Sequence, residues 1–402
     1  MKILWIARTC PWPANDGEKL RVYNLLKHLG ALHDITLVCR VMNDEENAGL
    51  PMLRSCCAAV HGVPVPRPAG VLRKAKQALP FLLSRYPVSL ATVFFPQILE
   101  ALRKIGGNEP FDVVQVEHSS LSIYLDHVAF SGDPKLLVTM HNIDFVRNAR
   151  VVRNMPFGAM KCFSLLNELR FREWECRSLR RFDGIIAMSE IDMALLKKEV
   201  PGVPVHVVGN GVDTAGRSSP PAGPPAPRLI FVASMDSEAN HDGALFFLKE
   251  IFPLLKKSHP GAGVTFVGRN PRKELSDRRN GTDIAVTGNV EDVSPYYRDA
   301  AVAIVPLRSG GGTRLKILES MAAGVPVVST SIGCEGLEVR DGEHLLVADL
   351  PRRFADCIGR LLTDTVLRDR LVRQAREKVE TDYDWRWIAR RHDAVYHAVA
   401  GY

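Results

Sequence analysis

The sequence predicts an α/β protein built from two β/α domains, each a parallel sheet covered by helices on both faces. Three observations predict it. Short apolar runs of strand length alternate with amphipathic helical stretches. The alternation halts at a segment rich in Pro, Gly and Ser, then restarts. The chain has 402 residues, a length that suits two domains.

In the first half, "KILWIA" (2–7), "ITLVC" (35–39), "VVQVE" (113–117), "KLLVTM" (135–140) and "GIIAM" (184–188) read as buried strands. Amphipathic stretches such as Lys19 to Leu32 lie between several of them. That order is the pattern of parallel strands joined by crossover helices. "NGVDTAGRSSPPAGPPAPR" (210–228) has no apolar period and five prolines between 220 and 227. It predicts a stiff, extended linker. The second half restarts with "RLIFVAS" (228–234), "GVTFVG" (263–268), "IAVTG" (284–288), "VAIVPL" (302–307) and "VPVVST" (325–330) as strands. The expected division is 1–208, a linker at 209–227, a second domain at 228–384 and a final helix at 385–402. Such sheets bind ligands beyond the carboxyl ends of their strands, so a site in a cleft between the domains is expected.

Hydrophobic residues make up 46% of the chain and charged residues 24%, which excludes a disordered chain. The net charge of +7 favours anionic partners such as phosphates, an anionic membrane surface or nucleic acid. Eight cysteines show no CxxC or CxxH spacing, so no zinc site and a reducing, cytoplasmic setting are expected. The apolar core of the N-terminus, Ile3 to Ala7, is too short for a signal sequence. No run reaches the length of a membrane span. In the tail, Asp382-x-Asp384 has the spacing of a metal-binding pair, but Asp384 as the cap of the last helix accounts for it, and no metal is expected.

"SGGGTRLKILESMAAGVPVVST" (309–330) carries the most chemistry. Gly310, Gly311 and Gly312 follow a strand and precede a helix that begins near Arg314. Glycines let a ligand approach the backbone, and the helix start offers free N–H groups and partial positive charge. That geometry is an anion site, fit for a nucleotide diphosphate with help from Arg314 or Lys316. Helical side chains lean towards the N-terminus, so Glu319 can reach the two hydroxyls of a ribose bound there. The rival reading is an ordinary strand–helix turn with a solvent-facing Glu. The short apolar helix and the buried strand after it weigh against that rival.

These residues resemble the donor-binding signature of family 4 retaining glycosyltransferases of the GT-B fold, in which Glu319 and "SMAAGVPVV" match the second half. The Gly17 loop, Asn210 to Asp213, "FVG" (266–268), "TGNVEDVSPYY" (287–297) and the tail helix extend the resemblance over essentially the whole chain. It implies two Rossmann-like domains facing a cleft, the tail helix crossing back to the first. It also implies sugar transfer from a nucleotide-diphosphate donor to a hydroxyl of a glycan, lipid-linked or small-molecule acceptor, without metal or other cofactor, in polysaccharide or glycoconjugate synthesis. Two positions depart from the family pattern. Gly311 stands where the family has its first Glu, which contacts the transferred sugar. Ser234 and Asn240 stand near the positions of the Arg and Lys that neutralise the diphosphate. The backbone amides of Gly311 to Thr313, with Arg314, Lys316 and Arg269, are left to serve instead.

In the first domain, Asn15-Asp16-Gly17 precedes a helix with Lys19 and Arg21 in its first turn, which predicts amides and positive charge aimed at the site. A simple capping turn is the rival. Glu117 and His118 end one strand, and His141, Asn142 and Asp144 follow another, the places where catalytic groups of such sheets belong. His141 resembles the family's T-x-H histidine, which touches the transferred sugar, and His118 is similar to a second histidine-bearing loop. The expected catalytic residues are therefore His141 and His118. The expected donor-binding residues are Gly17, Arg269, Val290, Gly310, Gly311, Gly312, Thr313, Arg314, Lys316 and Glu319.

From Arg147 to Arg181 basic residues interleave with Phe157, Phe163, Leu165, Leu166 and Trp174. Peripheral contact with an anionic membrane at its cytoplasmic face is one reading. An ordinary solvated helix face is another, and no nucleic-acid signature supports a third. A dinucleotide oxidoreductase is excluded, because "RTCPWPANDG" after the first strand is not GxGxxG. A sugar-nucleotide 2-epimerase of the same two-domain shape and a non-catalytic nucleotide-sugar binding protein remain as alternatives.

Overall fold

The structure, a computed structural model, describes residues 1–65, 78–82, 84–153, 155–215, 227–279, 281–310 and 314–401. The chain divides into two compact units, Met1–Gly209 with Ile388–Tyr402, and Asn210–Trp387.

The first unit holds seven parallel strands: β1 (Lys2–Ala7), β2 (Asp34–Val41), β3 (Ala59–Pro64), β4 (Val113–Glu117), β5 (Lys135–Met140), β6 (Gly184–Ala187) and β7 (Val205–Val207), in the order β3-β2-β1-β4-β5-β6-β7. The order reverses between β1 and β4, which opens a crevice at their carboxyl ends. Strand β4 is buried along its whole length, as a central strand covered on both faces must be. The helix Gly17–Leu29 starts where the Asp16 carboxylate accepts from the Lys19 N–H at 2.9 Å. It buries Val22, Leu25, Leu26 and Leu29 against the sheet.

The second unit holds six parallel strands: β8 (Arg228–Val232), β9 (Gly263–Val267), β10 (Ile284–Val286), β11 (Val302–Val305), β12 (Val327–Ser329) and β13 (Leu346–Val347), in the order β10-β9-β8-β11-β12-β13. The reversal here lies between β8 and β11. One apolar core built on Phe231, Phe247, Phe266, Ile304 and Ile317 fills the unit.

Ten strands fall where the apolar runs place them, and β3, β7 and β13 were not legible. All three lie at or next to a sheet edge and are short or only half-buried, so they lack a continuous apolar run. Several strands end earlier than read: β11 stops at Val305, because Pro306 has no N–H for the ladder. The linker expectation is corrected at its start. Val212 is buried and bridges to Asp384, and the Thr214 carbonyl accepts from Arg376 at 3.0 Å, so this stretch is folded into the second unit. Residues 216–226 lie outside the described residues. The last helix, Trp385–Ala400, is capped by Asp384, whose carboxylate accepts from the Arg386 N–H at 2.9 Å. From Ile388 on it packs in the first unit.

Candidate active site

In the first unit, four polar groups meet at the carboxyl ends of β1, β4 and β5. Arg8 follows β1, and its guanidinium lies 2.5 Å from Glu18 in the first turn of the Gly17–Leu29 helix. Glu18 also lies 3.1 Å from His118 Nε2. The His118 ring stacks on that of His141, with centroids 4.6 Å apart and planes inclined by 26°. Burial favours the neutral form of Glu18, but His118, Arg8 and His141 outweigh it and hold the carboxyl well below its usual range. His118 itself is pushed down, first by burial, although Glu18 opposes the shift.

His118 carries two signs of a functional residue. Its φ of +77° lies in the left-handed region, which costs a non-glycine residue about 1–3 kcal/mol. Both of its ring nitrogens are buried without an aligned hydrogen-bond partner among the described residues. The 3.1 Å contact with Glu18 therefore lacks the alignment of a hydrogen bond. Such costs at a strand end, in a residue only 2% exposed, mark His118 as a candidate functional residue beside His141. His141 is anchored instead: its Nε2 lies 2.5 Å from a Glu117 oxygen. Glu117 is fully buried, yet His141, Arg21 and Gln115 hold it ionised against burial.

The structure brings Gly17 to the head of this cluster but turns Lys19 and Arg21 away from it. Lys19 Nζ is buried on Glu46 at 2.8 Å, and the fully buried Arg21 donates to the carbonyls of Val208, at 2.9 Å, and Gly209. The expectation of free positive charge in that turn is corrected: a buried cation needs partners, and both found them inside the unit. Asp16 does what the capping reading asks. Glu18 and Arg8 went unread, although one follows the first strand and the other opens the next helix.

In the second unit the glycine loop sits after β11, at the reversal of strand order. Gly310 has φ +119°, and a Cβ there would stand 3.2 Å from Arg314 Nη1 and 3.3 Å from the Ala239 Cβ. Gly311, Gly312 and Thr313 lie outside the described residues. Among the described residues no side chain caps the helix Leu315–Ala322 that follows, and Ile317 N–H donates to the Arg314 carbonyl at 2.9 Å, which leaves the N–H groups of Leu315 and Lys316 as those a helix start offers to an anion. Arg314 is buried below the loop, and one of its nitrogens donates to the Ile332 carbonyl at 3.2 Å.

Ser234 and Asn240, at the departures from the family pattern, gather two cations. Arg269 Nε donates to Ser234 Oγ at 3.0 Å. Lys316 Nζ donates to Asn240 Oδ1 at 2.6 Å and lies over the Phe231 ring. Asn240 in turn donates to the Ser234 carbonyl at 2.9 Å, so one short network ties both cations together. Gly268 makes the Arg269 turn possible: its φ is +145°, and a Cβ would stand 1.7 Å from the Ala233 oxygen. Burial, then Arg314, pulls Lys316 down to about 7. Glu319, in the second turn of the helix, is half-exposed and lies 3.5 Å from the Tyr297 hydroxyl. Val290 packs against the core of the unit. Asp382 pairs with Lys378 at 2.5 Å, and Asp384 is taken up by capping and by Thr214. Among the described residues no three His, Cys, Asp or Glu side chains converge as a metal site requires.

Two family models match this chain. Glycosyltransferase Family 4 matches residues 17–215 and Glycosyl transferases group 1 matches residues 226–364. The chain belongs to the family 4, group 1 glycosyltransferases and is a glycosyltransferase of the two-domain GT-B type. It is 24% identical over 376 residues to an uncharacterized 44.6 kDa protein in the cps region of Klebsiella pneumoniae, covering 88% of this chain and 89% of that one. It is 30% identical over 227 residues to phosphatidyl-myo-inositol mannosyltransferase of Mycobacterium leprae, covering 54% of this chain and 59% of that enzyme. In fold it is similar to Anabaena Alr3699/HepE, solved in complex with UDP-glucose. The TM-score is 0.65 and the identity 14%, over 99% of this chain and 100% of that one.

Proposed function

We propose that the protein moves a sugar from a nucleotide-diphosphate sugar to an acceptor hydroxyl with retention of anomeric configuration, in the synthesis of an envelope polysaccharide or glycoconjugate. The observation that carries this reading is the meeting of Arg269 and Lys316 on Ser234 and Asn240, beside a helix start at the strand-order reversal. Bond breaking builds negative charge on the leaving diphosphate, and stabilisation must stand where that charge develops. Two cations and free helix amides suit the need without a metal. Glu319 takes the ribose hydroxyls. His141 and His118 are the candidate catalytic residues, as the family resemblance implies. The acceptor attacks on the face the diphosphate leaves, and its proton passes to a phosphate oxygen, as the family resemblance implies. The UDP-glucose bound by the similar fold of Anabaena Alr3699/HepE supports the donor class.

A panel of nucleotide sugars tests this by thermal shift, on wild type and Glu319→Ala. A ligand at 100 times its Kd adds about 2.7 kcal/mol, a readable shift. The expected result is one donor that stabilises the wild type and fails to stabilise the variant. No donor stabilising either protein would sink the reading.

The acceptor side of the proposal includes contact with anionic lipid at the cytoplasmic face. The helix Ala159–Leu179 buries Phe171 and Trp174 but leaves Met160, Phe163, Leu166 and Leu169 exposed, and Phe157 before it is 94% exposed. Lys161 lies over the Phe157 ring, and Arg147 stands on the neighbouring helix Asp144–Arg153. An apolar ridge with cations beside it suits a lipid interface. Among the described residues no helix is long and apolar enough to cross a membrane.

A further inference from the structure

A buried polar chain runs from the last helix to His141. His392 Nε2 and the Tyr396 hydroxyl both meet Gln115 Oε1, the former at 2.9 Å and the latter at 2.5 Å. Gln115 Nε2 meets Glu117 Oε1 at 2.7 Å and Thr139 Oγ1 at 3.2 Å. Glu117 Oε2 meets His141 Nε2. His392 and Gln115 are 277 residues apart in sequence, yet both lie within the first unit.

The direction of each bond follows from chemistry. Glu117 is ionised and can only accept, so Gln115 and His141 both donate to it. Gln115 therefore turns its NH₂ to Glu117 and its oxygen to the last helix, which must supply two donors. Tyr396 does so as a phenol. His392 does so as a neutral ring protonated on Nε2, because burial, reinforced by Arg21, pulls it down to about 3. Flipping Gln115 would press its carbonyl on the Glu117 carboxylate. The last helix thus holds the amide in one sense, and the amide shares the load of the carboxylate with His141. With Nε2 committed to Glu117, Nδ1 is the His141 nitrogen left for a ligand.

We infer that Gln115, His392 and Tyr396 are positioning residues: through Glu117 they hold His141 as the Nε2–H tautomer and set how strongly the carboxylate pulls on it. Its catalytic meaning rests on His141 facing substrate, as proposed above, whereas the tautomer and its coupling to the last helix do not. Removing a donor from Glu117 leaves more negative charge facing His141, which favours the imidazolium. Arg8, Glu18 and His118 stand around the ring from β1, the Gly17–Leu29 helix and β4, and Arg21 acts on Glu117. These four charges and His118 are the same in every variant compared.

The test is nitrogen NMR of the full-length protein carrying ¹⁵N-histidine, with His141 assigned through His141→Gln. The expected wild-type signal is the Nε2–H tautomer. In Gln115→Leu the His141 Nε2–H signal moves from its wild-type position, in the isosteric Tyr396→Phe it moves by less, and in both kcat falls while donor KM holds. An Nδ1–H tautomer in the wild type, or folded variants whose signal stays put, would overturn the inference. If Gln115→Leu does not fold, Tyr396→Phe decides alone. A wild type without transferase activity whose variants still show the expected change at His141 would leave this inference standing and remove the functional reading.

Discussion

Lys316 Nζ donates to Asn240 Oδ1 at 2.6 Å, so this lysine is held by a neutral amide and not by a carboxylate. Burial pulls it down to about 7, with Arg314 adding to the effect. Its folded value lies below the ordinary 10.5, so its charge is disfavoured in the free protein and stability rises with pH from about 7 to 10.5. A bound diphosphate reverses that preference. Near pH 8, binding the nucleoside diphosphate found by the thermal-shift panel is expected to take up close to one proton. Calorimetry in buffers of different ionisation enthalpy reads this directly. Equal uptake by Lys316→Met would show that another group titrates.

Arg21→Met removes a fully buried guanidinium that serves the carbonyls of Val208 and Gly209 and opposes the charge of Glu117. Two carbonyls and one carboxylate are then left under-satisfied. The expected loss is at least about 3 kcal/mol in urea unfolding. A loss under about 1 kcal/mol would mean that water enters and replaces the arginine.

Glu175 receives the Ser119 hydroxyl and, at 2.8 Å, the Phe145 N–H, next to the loops that carry His118 and His141. Burial, then Asp144, pushes its carboxyl up to about 8 from an ordinary 4.5. The folded state then binds the extra proton between those values, so stability falls as pH rises through that window, by at most about 1.4 kcal/mol per unit. Glu175→Gln imitates the protonated form. Its stability relative to wild type is expected to grow from pH 5 to pH 8. A difference that is flat with pH would contradict a protonated Glu175.

Phe157→Ser with Leu166→Ser removes two exposed side chains of the apolar ridge. Burying either in a lipid interface contributes about 1.5–3 kcal/mol, so the pair should lower partition into vesicles with anionic phospholipid by about tenfold or more. The thermal midpoint should hold, because neither side chain packs in the core. Unchanged sedimentation with anionic vesicles would leave that face as ordinary solvated surface.

Much of the fold was legible because its signals are local. A buried parallel strand is marked by an apolar run, unbroken from Ile3 in β1 and throughout β11, and interrupted only by Gln115 in β4 and Thr139 in β5. The glycine loop and Glu319 could be read because helix starts and glycine freedom act over a few residues. The cations could not be sorted in the same way. Lys19, Arg21, Arg269 and Lys316 look alike in sequence, but the first two are spent on Glu46 and on the carbonyls of Val208 and Gly209.

By itself the amino-acid order determined two alternating β/α units, the loop at Gly310 and the strand-end histidines, since periodicity and turn chemistry are written between near neighbours. Only the tertiary structure decided that Ser234 and Asn240 gather Arg269 and Lys316, and that Gln115 joins Tyr396 to Glu117. Those partners are brought together by sheet order and core packing over tens to hundreds of residues. Nothing in the spacing of one segment records which distant buried group will satisfy it.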